Sequence, residues 1–189
     1  MVGRLLAAVA LAMLSGATVL AGSPGEPFAL THVGAGWPQI ERSIEEDGRE
    51  LGACEVDRVV CSPAAARLLS IISEAGGQTG LARLGVINRA ITLWLRPTEQ
   101  GAWRAPLKVM ADGAGDCKGH SVVAFLALRE AGVPARDLRI VVVSVPRTGE
   151  EHAVVAVRFA DEWIILDSNR LNLLRDRDVV DYRPLYVLK

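Results

Sequence analysis

The sequence predicts an α+β fold, with N-terminal helices packed on an antiparallel β-meander. Two observations carry this. Between Trp37 and Leu128 the apolar residues recur at steps of three and four, the period of a helix with one buried face. From Leu138 onward the period falls to two and β-branched residues dominate. The order is therefore helices first and strands after, which is the α+β arrangement.

Composition bounds the class. The 189 residues suffice for a domain with a proper core. A net charge of −1 gives no electrostatic footprint for nucleic acid. Met1–Arg4 is a short basic start, Leu5–Ala21 carries no charge, and Val19-Leu20-Ala21 ends on a small residue. Residues 1–21 thus read as a secretory signal peptide cut near Ala21, with an uncleaved anchor as the lesser reading. Residues 22–36 are rich in Gly and Pro and read as an extended segment with His32 at the surface, leaving residues 37–189 as the domain.

Within that domain Trp37–Glu46 is expected as a short helix, broken by Gly48 and Gly52. Ser62-Pro63 starts the next one, with Ser as N-cap and Pro in the first turn, and Gly76-Gly77 ends it. Leu84, Ile87, Ile91 and Leu95 give the buried face of a third, from about Thr79 to Trp94. Its polar residue Asn88 is expected to hydrogen-bond a nearby loop. Residues 96–115 read as a long loop, a length that in compact domains often goes with function. A helix then runs from Cys117 toward Gly132, burying one face. Strands are expected at Leu138–Val145, His152–Phe159, Glu162–Asp167 and Tyr182–Leu188, with a charged connection at Leu174–Asp181.

Export changes the reading of the three cysteines. Cys54 and Cys61 are natural disulfide partners in an oxidising compartment, which leaves Cys117 over. A zinc site of Cys54, Cys61, Cys117 and His120 is disfavoured, because its first spacing exceeds the roughly two to four residues of a zinc knuckle. Cys117 follows the Gly-rich approach Asp112–Gly115 and falls in the first turn of the central helix. Unpaired N–H groups, the helix dipole and the neighbouring Lys118 there favour a thiolate.

Strand pairing supplies the partners. If Ala160-Asp161 is a two-residue hairpin turn, Phe159 faces Glu162 and Asp167 comes opposite Val154. His152, two residues from Val154, then shares a face with Asp167 as its diagonal neighbour. Cysteine, histidine and aspartate so arranged satisfy the logic of a nucleophilic triad. Cys117 attacks, His152 carries the proton and Asp167 orients the imidazole. His120 is the weaker base, since nothing on its own helix can orient it.

Gly115-Asp116-Cys117, Glu151-His152-Ala153-Val154 and Ile165-Leu166-Asp167-Ser168 together resemble the bacterial transglutaminase-like cysteine proteinases of the LapG type. Cys54…Cys61, Val86-Ile-Asn88, Trp103…Pro106, Gly132-Val-Pro134 with Leu138-Arg139, and Tyr182-Arg-Pro184 extend the resemblance over most of the domain. It implies a papain/transglutaminase-like fold with the nucleophile at the start of the central helix. It also implies that Cys117, His152 and Asp167 are nucleophile, base and orienting acid of a periplasmic cysteine endopeptidase. The substrate implied is a protein, a cell-surface adhesin whose cleavage releases cells from a biofilm, and a regulatory membrane protein is the further partner. Family members hold calcium with acids beside the nucleophile. Asp116 matches as a calcium ligand, but Lys118 stands where an acid is usual and Lys108 where one is common. The expectation is therefore that no cofactor is required. A deamidase or acyltransferase using the same triad, or a non-catalytic peptide-binding module, are the alternatives.

Overall fold

The computed structural model describes residues 36–188, so the leader, His32 and all but the last residue of the extended segment lie outside the described residues. Helix α1 spans Trp37–Val56, ten residues beyond its expected end at Glu46. Neither glycine breaks it. A Cβ at Gly48 would collide with the Arg129 guanidinium, which passes there to reach the Ile44 carbonyl at 3.1 Å. The added turns bury Leu51 and bring Cys54 into the core, where it is disulfide-bonded to Cys61. Helix α2, Pro63–Gly76, starts as expected, the Ser62 hydroxyl accepting from Ala65 N–H at 3.1 Å.

Helix α3, Gly80–Trp94, buries Leu84, Ile87 and Ile91. Its Asn88 is buried too, but the partner is not a nearby loop. The side-chain amide donates at 3.0 Å to the carbonyl of Arg170, far along the chain. Residues 96–115 are also not a plain loop. Strand β1 (Arg96–Pro97) runs parallel to β2 (Ala114–Gly115), and helix α4 (Pro106–Asp112) lies between them. Pro106 sits in the first turn of α4, and Gly113 ends it at φ 56°. Leu107, Val109 and Met110 tie this short helix to the core. A Cβ at Gly115 would come to 3.1 Å from the Val109 side chain, so a side chain there would require Val109 to shift.

Helix α5, Cys117–Glu130, is more enclosed than its periodicity implies. Every residue from Gly119 to Leu128 is buried, because α5 lies between the other helices and the sheet. A helix surrounded in this way has no solvent face to show in its sequence pattern.

The sheet has five strands: β3 (Leu138–Val145), β4 (Glu150–Phe159), β5 (Glu162–Asp167), β6 (Arg170–Arg175) and β7 (Arg183–Leu188). Their order is β6-β5-β4-β3-β7 and every pairing is antiparallel. Strand β6 is a fifth strand beyond the four expected, and β7 crosses back to the β3 edge instead of extending the meander. The β4–β5 register is the expected one, with Phe159 opposite Glu162 and Val155 opposite Leu166. Ala160 and Asp161 both have positive φ, 48° and 65°, as a two-residue primed turn demands. One face of the sheet, including Ile140, Val155 and Leu166, packs on the helices. The other carries Val141, Val154, Trp163 and Ile165 under Val179 and Tyr182 of the segment before β7.

Candidate active site

Asp116 is the N-cap of α5. One carboxylate oxygen accepts from Gly119 N–H at 2.9 Å. The other accepts from Gly101 N–H at 2.8 Å and lies 3.2 Å from the Lys118 ammonium. Asp116 thereby fixes the first turn of α5 against the loop that follows β1. Burial alone would raise the Asp116 pKa, but these two N–H donors and Lys118 outweigh it and hold the carboxylate below its usual range.

Cys117 opens the helix, half-buried, and is the free cysteine among the described residues. His152 and Asp167 stand at the adjoining ends of β4 and β5. Alternation puts both on the face of Val154 and Ile165, as the register argument required. Strand β4 runs on past the last β4–β5 pair, Val155 with Leu166, and there it meets the start of α5. His152 Nε2 is 2.8 Å from Asp167 Oδ1, which leaves Nδ1 for the thiol. The Cys117 sulfur interacts with the His152 imidazole and with Ala153 N–H.

The electrostatics follow from this geometry. Burial would push the Cys117 thiol up. Hydrogen bonds from His152 and Ala153 N–H, with the charges of His152 and Lys118, reverse that and hold it below its ordinary value. Burial would lower the His152 pKa, yet the bonds to Asp167 and Cys117 raise it to about 9. Asp167, fully buried, would be raised by desolvation but is lowered by His152, by Asn169 N–H at 2.9 Å and by the Tyr182 hydroxyl. All three shifts favour a thiolate–imidazolium pair beside a carboxylate.

Of the other residues singled out in the sequence, His120 lies close by. It is buried, its Nε2 is 2.9 Å from the Thr92 hydroxyl, and burial lowers its pKa to about 4. The expected Cys54–Cys61 pair is a disulfide, which excludes both from a zinc site. Lys108 pairs with Asp112 at 2.7 Å on the exposed side of α4.

Tyr182, which the sequence reading places in the Tyr182-Arg-Pro184 stretch of the resemblance, also belongs to the site. Its hydroxyl donates to Asp167 Oδ2 at 2.7 Å and its ring centre is 5.5 Å from that of His152. Only the path of the segment before β7 brings it there. A buried carboxylate needs donors for both oxygens, but nothing in the sequence names this tyrosine as the second.

The thiol and imidazole sit between two hollows. A cleft of about 390 Å³ is lined by Leu95, Thr98, Gln100 and Glu150, and a smaller one of about 230 Å³ by Trp103, Lys118 and Tyr186. Cys117, Glu151 and His152 border both, so an extended chain can pass over the thiol with side chains on either side.

The family model of the bacterial transglutaminase-like cysteine proteinases matches residues 54–186. No curated protein matches the chain in sequence. Among solved structures, LapG of Legionella pneumophila superposes with a TM-score of 0.61 at 19% identity, over 77% of this chain and 83% of that one. Its calcium-bound form gives the same figures. The EGTA-treated form differs only in the share of its own chain covered, 81%. At this identity the likeness shows the fold, which is α+β of the papain/transglutaminase-like kind.

Proposed function

Because the chain belongs to the bacterial transglutaminase-like cysteine proteinases and is a cysteine peptidase, we propose that it cleaves a protein substrate through a thioester formed on Cys117, with His152 and Asp167 completing the triad. The observation that carries this reading is the placement of Cys117, at the start of a helix, beside His152 on the border of both clefts, with His152 hydrogen-bonded to Asp167 at 2.8 Å. In the first step the Cys117 sulfur attacks the scissile carbonyl carbon. The C–N bond then breaks as His152 gives its Nδ1 proton to the leaving amine. In the second step His152 takes a proton from water, the hydroxide attacks the thioester, the C–S bond breaks and the proton returns to the pair. The developing oxyanion needs preorganised donors. Gly119 N–H is taken by Asp116 and His120 N–H by the Asp116 carbonyl, so the N–H groups of Cys117 and Lys118 are the ones available.

Calcium does not fit this site. Both Asp116 oxygens are engaged by backbone N–H groups and one also by the Lys118 ammonium at 3.2 Å, whereas calcium takes about six to eight oxygen ligands. Among the described residues no group of three or more His, Cys, Asp or Glu could hold a metal. Lys118 supplies a fixed positive charge beside the thiol, and the chemistry proceeds without a metal. The apolar leader and the Cys54–Cys61 disulfide support a periplasmic enzyme. A surface adhesin as substrate and a membrane protein as regulator are the corresponding proposals for its partners.

The pH dependence of Cys117 alkylation by iodoacetamide tests the triad. In the unmodified protein, reaction is expected to persist well below the range near 8.5 where a free thiol titrates. The His152→Ala variant is expected to move the profile toward that range. Identical profiles near pH 8.5 in both proteins would refute the reading.

A further inference from the structure

We propose that Tyr182 is a positioning residue for the reaction, its hydroxyl fixing the second oxygen of Asp167 and its ring bearing on His152 so that the imidazole keeps one orientation through both proton transfers. This rests on the triad reading above. Asp167 has no contact with solvent, and its two oxygens have different duties. Oδ1 accepts from His152 Nε2 and from Asn169 N–H, at 2.8 and 2.9 Å. Oδ2 has the Tyr182 hydroxyl at 2.7 Å, while Arg170 stands 4.0 Å away and half exposed. Without the hydroxyl, Oδ2 would be a buried charged acceptor with no close partner, a costly state that the carboxylate would relieve by turning. Turning Asp167 breaks the bond that holds His152.

The tyrosine is itself held firmly. It is 8% exposed and belongs to the cluster of Val141, Val154, Trp163 and Ile165 on the outer sheet face, next to Val179 of the same segment. Both burial and the bond to Asp167 raise its pKa, so the hydroxyl stays a donor throughout the working range. The ring lies tilted at 55° to the imidazole, packing against it at the mouth of the larger cleft.

Tyr182→Phe keeps the ring and removes only the donor, and Tyr182→Leu removes both. Each is made in the full chain and its rate of alkylation by iodoacetamide is followed against pH, with thermal melting to show that it folds. The groups facing the pair are unchanged in both variants. They are Cys117, Lys118 and His120 from α5, Glu151 from β4, Asp167 from β5 and Arg170 from β6.

The expected result for Tyr182→Phe is an acid limb moved up by about one pH unit, a roughly tenfold slower reaction on that limb. Tyr182→Leu should match or exceed it. A tyrosine that merely filled space would lower the melting temperature of the leucine variant and leave the phenylalanine profile unmoved. A Tyr182→Phe profile superimposable on that of the unmodified protein would therefore overturn the proposal. The His152→Ala profile separates the two ideas. If it too were unmoved, the triad itself would fail; if it moved while Tyr182→Phe did not, only the role of Tyr182 would.

Discussion

Acidification should weaken the fold through His120, and the size of the effect can be worked from its surroundings. The imidazole is 2% exposed within the most enclosed helix, with Thr92 as its hydrogen-bonding partner. Burial, assisted by the charge of His152 and opposed by that of Asp167, lowers its pKa from 6.5 to about 4. The pKa of the folded state lies below that of the unfolded chain, so the unfolded state takes up the proton first. Stability is lost as pH falls from 6.5 toward 4. At about 1.4 kcal/mol per pH unit, allowing for half-titration at the upper end, going from pH 6.5 to pH 4.5 should cost about 2 kcal/mol. His152 has the opposite sign. Its raised value, about 9, adds stability that is complete below pH 6.5 and is lost only as pH rises toward 9. The assay is urea unfolding at pH 6.5, 5.5 and 4.5 in a Cys117→Ser background, which removes the titration of the thiol. His120→Phe in that background keeps an apolar ring and leaves the Thr92 hydroxyl free to bond within its own helix. It should lose about 2 kcal/mol less than its parent over the same range. His120→Asn serves as a second variant should the larger ring overpack the site. Equal pH dependence in parent and variants would refute the reasoning.

Three further outcomes are expected. Replacing Cys54 and Cys61 together by Ala opens a short loop, their sequence separation being 7. The loop-entropy relation gives a loss of about 2 kcal/mol, read by urea unfolding, with the alkylation of Cys117 unchanged. EDTA should alter neither the melting temperature nor the alkylation of Cys117, because Lys118 already neutralises Asp116. Lys118→Glu should instead make the melting temperature rise with added calcium. Complete loss of alkylation in EDTA, restored by calcium alone, would contradict the fit argued above.

What the sequence determined by itself was whatever depends on neighbours along the chain. The switch from a period of three and four to a period of two set helices before strands. The Ala160-Asp161 turn set the β4–β5 register, and with it the shared face of His152 and Asp167. The glycine-rich approach before Cys117 set that residue in a first helical turn.

Tertiary packing decided the rest. Helix α1 runs through two glycines because its extra turns gain core contacts and Gly48 gives passage to Arg129. Helix α4 is too short to show a period and is held by Val109 and Met110 packing on the core. Strand β6 is short and largely exposed and is held by pairing with β5, with Asn88 donating to its first carbonyl. The meeting of α5 with the overhanging end of β4, and the return of the chain that delivers Tyr182 to Asp167, join residues far apart in sequence. Such contacts form only once the layers pack. The physical reason is that local pattern records the period of burial, while the partner that fills each buried hydrogen bond is chosen by the path of the whole chain.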